Sequence, residues 1–206
     1  MAEAAYKSVL LFGAPGTGKG TQGAILGAVP GFFHMSSGDM FRALDKESEL
    51  GREFLKYSTK GLLVPDEFTV RLWSAHTKGL VESSSFEPAS NCLVLDGIPR
   101  TAKQCGLMEG RIEVLKVLHL TIADRDELIG RLKKRALSSG RPDDADESVI
   151  RRRLKVYDDE TTPVLEHYSA DRIAEIDAAQ QPAEVVRDIL EVVAPIHAEQ
   201  FENPLG

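Results

Sequence analysis

The stretch Gly13-Ala14-Pro15-Gly16-Thr17-Gly18-Lys19-Gly20-Thr21 decides the fold of this chain. It follows an apolar run at residues 8–12, which predicts a buried strand, and a helical pattern begins at Lys19. In this context a glycine-rich loop surrounds phosphate oxygens with backbone N–H groups, while the lysine reaches the outer phosphates. Without the flanking strand and helix, the same residues would form an ordinary turn with Lys19 exposed.

Strand and helix patterns alternate along the rest of the chain. Further strands are expected at residues 32–35, 92–95, 114–120 and 172–176. Among the helices, one is expected from Asp66 to Lys78 with a stop at Gly79, and one over the whole of residues 146–168. Such alternation predicts right-handed βαβ units and an α/β fold, with a five-stranded parallel sheet covered by helices on both faces.

Composition restricts the classes of function. The 206 residues suit a single domain, and the net charge of -7 argues against a nucleic-acid or membrane-surface binder. No apolar run is long enough to span a bilayer, and no signal peptide is visible at the N-terminus. Cys92 and Cys105 have no metal-ligand spacing, so we expect them to be reduced, in a cytoplasmic protein.

Five motifs carry a family resemblance. They occur in the order Gly13 to Gln22, Ser36-Ser37-Gly38-Asp39-Met40-Phe41-Arg42, Gly61-Leu62-Leu63-Val64-Pro65-Asp66-Glu67, Asp96-Gly97-Ile98-Pro99-Arg100-Thr101 with Gln104, and Ser139-Gly140-Arg141-Pro142-Asp143-Asp144 before Arg151-Arg152-Arg153-Leu154. Over residues 9–193 the chain resembles the adenylate kinases, and its Lys-Gly-Thr loop ending is the form used by nucleoside monophosphate kinases.

The resemblance implies one kinase domain over residues 1–206 with two mobile inserts. An insert at about residues 36–64 would cover AMP, and a short lid at about 136–146 would cover ATP. The implied reaction is reversible transfer of the γ-phosphate of Mg-ATP to AMP, giving two ADP. The lid lacks the four-cysteine zinc pattern of some longer lids, so no structural zinc is expected. Separately, we expect a monomer.

The resemblance also implies a role for individual residues. The residues expected to bind ATP are Gly16, Thr17, Gly18, Lys19, Gly20, Thr21, Arg131, Arg135 and Gln181. Those expected to bind AMP are Ser37, Arg42, Leu62, Leu63, Val64, Gly97, Ile98, Pro99, Arg100, Gln104, Arg141 and Arg153. The residues expected to act in catalysis are Lys19, Arg100, Arg135, Arg141 and Arg153.

The chemistry agrees with these assignments. Phosphoryl transfer needs alignment and charge neutralisation, and arginine supplies both through a planar, permanently charged fork. No catalytic base is needed, because the acceptor phosphate has a second pKa of about 6 and is already nucleophilic at neutral pH. Asp96 ends an apolar strand and is expected to hold a water of the Mg²⁺ shell, although a turn aspartate is the alternative. Without the motifs, each arginine would be interpreted as a surface charge.

Three rival functions stay open at this point. A pyrimidine (UMP/CMP) kinase usually carries Asn where this chain has Thr101, so Thr101 and Gln104 favour adenine. A GTP:AMP phosphotransferase differs in donor contacts that are largely made by the backbone. A nucleotide-hydrolysing switch would need a water-positioning residue and no second nucleotide pocket, whereas this sequence supplies two sets of nucleotide-binding residues.

Overall fold

A computed structural model describes residues 5–139 and 144–205 of the chain. Its five strands are β1 (Tyr6–Phe12), β2 (Phe32–Ser36), β3 (Cys92–Asp96), β4 (Ile112–Thr121) and β5 (Ile173–Asp177). They pair in parallel in the order β2-β3-β1-β4-β5, so β1 lies at the centre of one sheet. The predicted five-stranded parallel sheet is therefore confirmed.

Side chains of β1 alternate between the two layers of the core, as the period of a strand requires. Val9 and Leu11 pack in one hydrophobic cluster, which includes residues of the last three helices. Leu10 and Phe12 pack in the other, which includes Trp73 and Met108. With both faces of β1 buried, the strand needs a continuous apolar sequence, and that is the run which precedes the glycine-rich loop.

Helices cover both faces of the sheet. They are α1 (Lys19–Leu26), α2 (Ser37–Arg42), α3 (Glu49–Ser58), α4 (Asp66–Glu82), α5 (Ala102–Met108), α6 (Arg125–Ser139), α7 (Glu147–Val156) and α8 (Pro182–Gln200). Within the described part of the chain, none of these helices is long and apolar enough to cross a bilayer.

The two helix predictions given above were wrong in extent, and one helix was not predicted. Helix α4 continues through Gly79 to Glu82, because a single glycine lowers helix stability by only about 1 kcal/mol. Helix α7 ends at Val156, followed by a π-helical turn and a 3₁₀ turn that contains Pro163, which has no N–H to continue the helix. The unpredicted α5 is short and begins where the Thr101 side chain accepts a hydrogen bond from the Gln104 backbone N–H.

The register of the sheet brings two motifs together at its carboxyl edge. Leu11 of β1 pairs with Asp96 of β3, so the loop after β1 lies beside the Asp96–Gly97 turn. Ligands of open α/β sheets bind outside the carboxyl ends of the strands. A cavity of roughly 410 Å³ opens there, lined by residues of the loop after β1, of α2 and of the Asp96 turn.

Candidate active site

The glycine-rich loop holds Lys19 at the floor of the cavity. Gly16 and Gly18 have positive φ angles of 96° and 93°, a conformation that L side chains rarely adopt. The loop curls back, so that the Lys19 ammonium donates to the carbonyl oxygens of Gly13 at 2.6 Å and Ala14 at 3.0 Å. These contacts place the lysine where the resemblance requires it, at the start of α1 and inside the cavity.

The electrostatic environment of Lys19 is strongly positive. Burial lowers the pKa of Lys19 to about 8; Asp96 opposes this shift, and the nearby charges of Arg100, Arg153 and Arg135 add to it. Four cationic side chains from distant parts of the sequence therefore meet in one place. Like charges so concentrated favour a polyanionic ligand, and nucleotide phosphates fit that description.

One carbonyl group organises the part of the cavity that is predicted to bind AMP. The Gly97 carbonyl oxygen accepts hydrogen bonds from Ser37 Oγ and from Arg100 Nε, both at 2.7 Å. Gly97 has a φ of 79°, and a Cβ atom there would approach Arg100 Nη2 to 2.6 Å and Ser37 Oγ to 2.7 Å. Glycine is thus required for the turn, and the turn carries the hydroxyl and guanidinium groups into the cavity.

The remaining acceptor-side residues line the same cavity. Arg42 ends α2 and donates to Asp39 at 2.5 Å. The cavity wall further includes Pro99, Gln104 and the apolar stretch Leu62, Leu63 and Val64. Gln104 is only 2% exposed, and the apolar residues of the same cavity would suit a flat base.

Asp144 fixes two of the predicted catalytic arginines. Its buried carboxylate accepts from Arg135 Nε at 2.6 Å and Nη2 at 3.0 Å, and from Arg153 Nη1 at 2.5 Å. Burial alone would raise the pKa of Asp144, but the two guanidinium groups outweigh burial and lower it. The arginines come from α6 and α7, so this carboxylate joins two helices at the edge of the cavity.

Asp96 provides an oxygen ligand beside the loop. It is 8% exposed, and its Oδ2 lies 4.0 Å from Nε2 of His34. Burial lowers the pKa of His34, although the charges of Asp96 and Asp39 oppose this shift. Asp96 and Thr21 both line the cavity, and a hard carboxylate oxygen there fits Mg²⁺, which prefers oxygen ligands and keeps several waters.

Several predicted site residues do not line the cavity. Ile98 is 2% exposed and packs in the hydrophobic core, and buried Thr17 donates to the Ala14 carbonyl oxygen. Arg131 donates to the Ala178 carbonyl oxygen and pairs with Glu127, and Gln181 precedes α8, where its backbone N–H donates to Glu184. Arg141 lies outside the described residues. The other predicted ligands, Gly16, Gly18 and Gly20 included, line one cavity.

Polar residues without a predicted role at the site include Asp144, Asp66 and Tyr157. Asp144 and Asp66 stood inside quoted motifs without a role, because a motif does not show which side chains contact each other. Tyr157 lines the cavity, and its hydroxyl lies 3.2 Å from Nε2 of His119. Burial raises the pKa of Tyr157 to about 12. No local pattern distinguishes this tyrosine from an ordinary helical residue.

Comparison with known proteins identifies the family. The family model described as adenylate kinase matches residues 11–173, most of the chain. The chain belongs to the adenylate kinase family. It is similar to the adenylate kinase of Kocuria rhizophila, with 42% identity over 78% of this chain and 84% of that protein. The adenylate kinase of Rhodococcus erythropolis is 40% identical over 86% of this chain and 93% of that protein. The adenylate kinase of Dehalococcoides mccartyi is 32% identical over 90% of this chain and 97% of that protein.

Membership in the adenylate kinase family confirms the resemblance drawn from the five motifs. It also confirms that the chain is an enzyme and a nucleoside monophosphate kinase. The phosphate loop, the Asp96 turn and the Asp144 cluster all fall within the matched residues.

Proposed function

We propose that the enzyme transfers the γ-phosphate of Mg-ATP reversibly to AMP at the cavity described above. The observation that carries this proposal is that donor-side and acceptor-side residues share one cavity. Lys19 of the phosphate loop and Arg100 of the Asp96 turn line it, together with the Asp144-bound pair Arg135 and Arg153. Transfer between two nucleotides requires such a shared space, whereas hydrolysis requires a single nucleotide site.

Charge neutralisation is the main catalytic contribution of these residues. Lys19 would contact the β- and γ-phosphates of ATP, exchanging its bonds to loop carbonyls for bonds to phosphate oxygens. Arg135 and Arg153 would stabilise the charge of the transferring group, since Asp144 already holds both near their working positions. Preorganised cations need little rearrangement at the moment of transfer.

Arg100 and Arg42 would orient the acceptor phosphate, with Ser37 beside them. Arg100 Nε donates to the Gly97 carbonyl oxygen, which directs the guanidinium into the cavity, and a planar guanidinium is well suited to bind phosphate. The acceptor oxygen needs no general base because the phosphate is already ionised. Bound Mg²⁺ would add charge compensation at the β- and γ-phosphates, and Asp96 would hold it through a water.

Further parts of the proposal concern the whole chain. Residues 36–64 would act as a mobile insert that closes over AMP and excludes water. The short lid predicted at about residues 136–146 lies partly outside the described residues. Among the predicted ATP-binding residues that do not line the cavity, Gln181 would meet the ATP adenine through its backbone. ATP rather than GTP as the donor, a monomeric state and a cytoplasmic location stay predictions.

A matrix of donors and acceptors tests the proposal. Purified enzyme would be assayed with ATP, GTP and CTP against AMP, UMP, CMP and GMP, and we expect ATP with AMP to give the highest kcat/KM. Arg100→Ala should lower kcat with AMP, because it removes a charge-assisted contact present during transfer. Arg111→Ala is the control, since the Arg111 side chain is exposed and donates to Ser74 Oγ, and it does not line the cavity. Faster transfer to UMP or CMP than to AMP would refute the acceptor assignment.

A further inference from the structure

Both polar atoms of the Gln104 amide are held before any ligand arrives. Gln104 Nε2 donates to Asp66 Oδ1 at 2.9 Å, and Gln104 Oε1 accepts from the Arg100 backbone N–H at 2.7 Å. The side chain is almost fully buried, yet it lines the same cavity as the apolar residues 62–64. Each amide end keeps one further bonding position, an N–H on Nε2 and a lone pair on Oε1.

The two neighbours force the same orientation of this amide. An ionised carboxylate only accepts hydrogen bonds, and a backbone N–H only donates. Rotating the Gln104 amide by 180° would place Oε1 against the Asp66 carboxylate and the Nε2 amide group against the backbone N–H of Arg100. Both hydrogen bonds would be lost together and two repulsive contacts would replace them, so one orientation is strongly favoured.

Asp66 is itself fixed by the adjacent helix. Thr101 Oγ1 donates to the same Asp66 Oδ1 at 2.9 Å, and Thr101 Oγ1 also accepts from the Gln104 backbone N–H at 3.1 Å. Asp66 is the first residue of α4, and Gln104 lies in the first turn of α5. The three side chains therefore form a closed network between two helix N-termini.

We propose that Asp66 is a positioning residue that makes the enzyme select 6-aminopurine over 6-oxopurine acceptors, by fixing the Gln104 amide. Adenine presents an acceptor at N1 and a donor at N6, whereas hypoxanthine presents a donor at N1 and an acceptor at O6. A freely turning amide pairs with either edge; a fixed amide pairs with one and opposes the other. This inference rests on the proposed function, in which the Gln104 amide faces the base of AMP.

Three acceptors test the inference on the unmodified enzyme. They are AMP, purine riboside 5′-monophosphate, which keeps the N1 acceptor and lacks any 6-substituent, and IMP. With a fixed amide, the N1–H of IMP faces the Nε2–H of Gln104, and O6 of IMP faces Oε1 of Gln104, so both contacts are repulsive. The value of kcat/KM should therefore fall in the order AMP, purine riboside 5′-monophosphate, IMP. If IMP equals or exceeds purine riboside 5′-monophosphate, the amide turns to suit the base and the inference is overturned.

Variants of Asp66 assign the effect to this carboxylate. Asp66→Ala should lower the AMP:IMP ratio of kcat/KM about tenfold or more and raise the KM for AMP, with the KM for ATP unchanged. Asp66→Asn keeps a carbonyl acceptor and should restore the ratio to within about threefold of wild type. Glu67→Ala is the matched control: it removes an acid from the same helical turn, but Glu67 pairs with exposed Lys103. It should leave the ratio unchanged.

A combined variant separates this mechanism from a general loss of structure. In a Gln104→Ala background, Asp66→Ala should cause no further change in the AMP:IMP ratio, because the group it orients is gone. An equal fall of the ratio in both backgrounds, or an unchanged ratio in Asp66→Ala, would overturn the inference. If Asp66→Ala does not fold, the three-acceptor series on the unmodified enzyme decides. Absence of AMP phosphorylation by wild type would instead refute the proposed function.

Discussion

Replacing Asp144 by Ala should damage stability and turnover together. The carboxylate accepts three charge-assisted hydrogen bonds, and each bond to a charged partner contributes about 1.5–3 kcal/mol. The Arg135 and Arg153 side chains are 33% and 21% exposed, so water would replace part of what they lose. We therefore expect a loss near the lower end of the range for a broken buried ion pair, about 3 kcal/mol.

For a chain of this size, that loss corresponds to a fall in Tm of about 6–12 °C, measurable by calorimetry. We expect kcat to fall by on the order of 10²-fold, because two cations lose their preorganised positions. The control is Glu147→Ala, which removes ion pairs to Lys133 and Arg151 that are exposed and screened by solvent, and should leave Tm and kcat close to wild type. An Asp144→Ala enzyme with wild-type Tm and kcat would show that Asp144 neither stabilises the fold nor positions Arg135 and Arg153.

The pH dependence of this stability has a defined sign. The pKa of Asp144 is lowered from its ordinary value of 3.8 by the two arginines, so its contribution is fully present above that value. The contribution is lost as pH falls below 3.8 and through the lowered pKa. The difference in unfolding free energy between wild type and Asp144→Ala should therefore shrink below about pH 4. A difference that stays constant from pH 6 to pH 3 would refute the assignment.

Further predictions concern Lys19 and Gln104. Lys19→Met should lower kcat by on the order of 10²-fold in a coupled assay, and near-normal turnover would contradict its role. Because the pKa of Lys19 is lowered to about 8 and its charged form binds phosphate, kcat/KM for ATP should fall as pH rises above 8. A profile flat to pH 10 would contradict this. Gln104→Ala should raise the KM for AMP several-fold with the KM for ATP nearly unchanged, and an unaltered KM for AMP would remove Gln104 from base recognition.

The first strand and the phosphate loop were predictable because the residues that specify them are neighbours in the sequence. The apolar run before Gly13 and the glycines around Lys19 specify a buried strand, a phosphate loop and a helix start within a few residues. Residues 146–168 were harder, because the pattern continues through a region where Pro163 prevents a regular helix. Short α5 was missed, because seven residues give too little periodicity and its capping hydroxyl is shared with a distant carboxylate.

The candidate site was predictable only where a motif names its residues. Lys19 and Arg100 come from separate motifs, and the register of β1 with β3 places them side by side. The supporting carboxylates Asp144 and Asp66 act through contacts that span 9 and 38 residues. Sequence spacing does not encode such contacts. Ile98 shows that a place within a motif does not by itself bring a side chain into the cavity, because Ile98 packs in the hydrophobic core.

The fate of a labelled γ-phosphate tests the central claim most directly. Enzyme would be mixed with [γ-³²P]ATP and AMP at equal concentration, with Mg²⁺, and the products separated by thin-layer chromatography at early times. The account predicts that the label appears as ADP, with two ADP formed for each AMP consumed and negligible labelled orthophosphate. Label released as orthophosphate at a rate independent of AMP would contradict it, because the shared cavity would then serve hydrolysis rather than transfer.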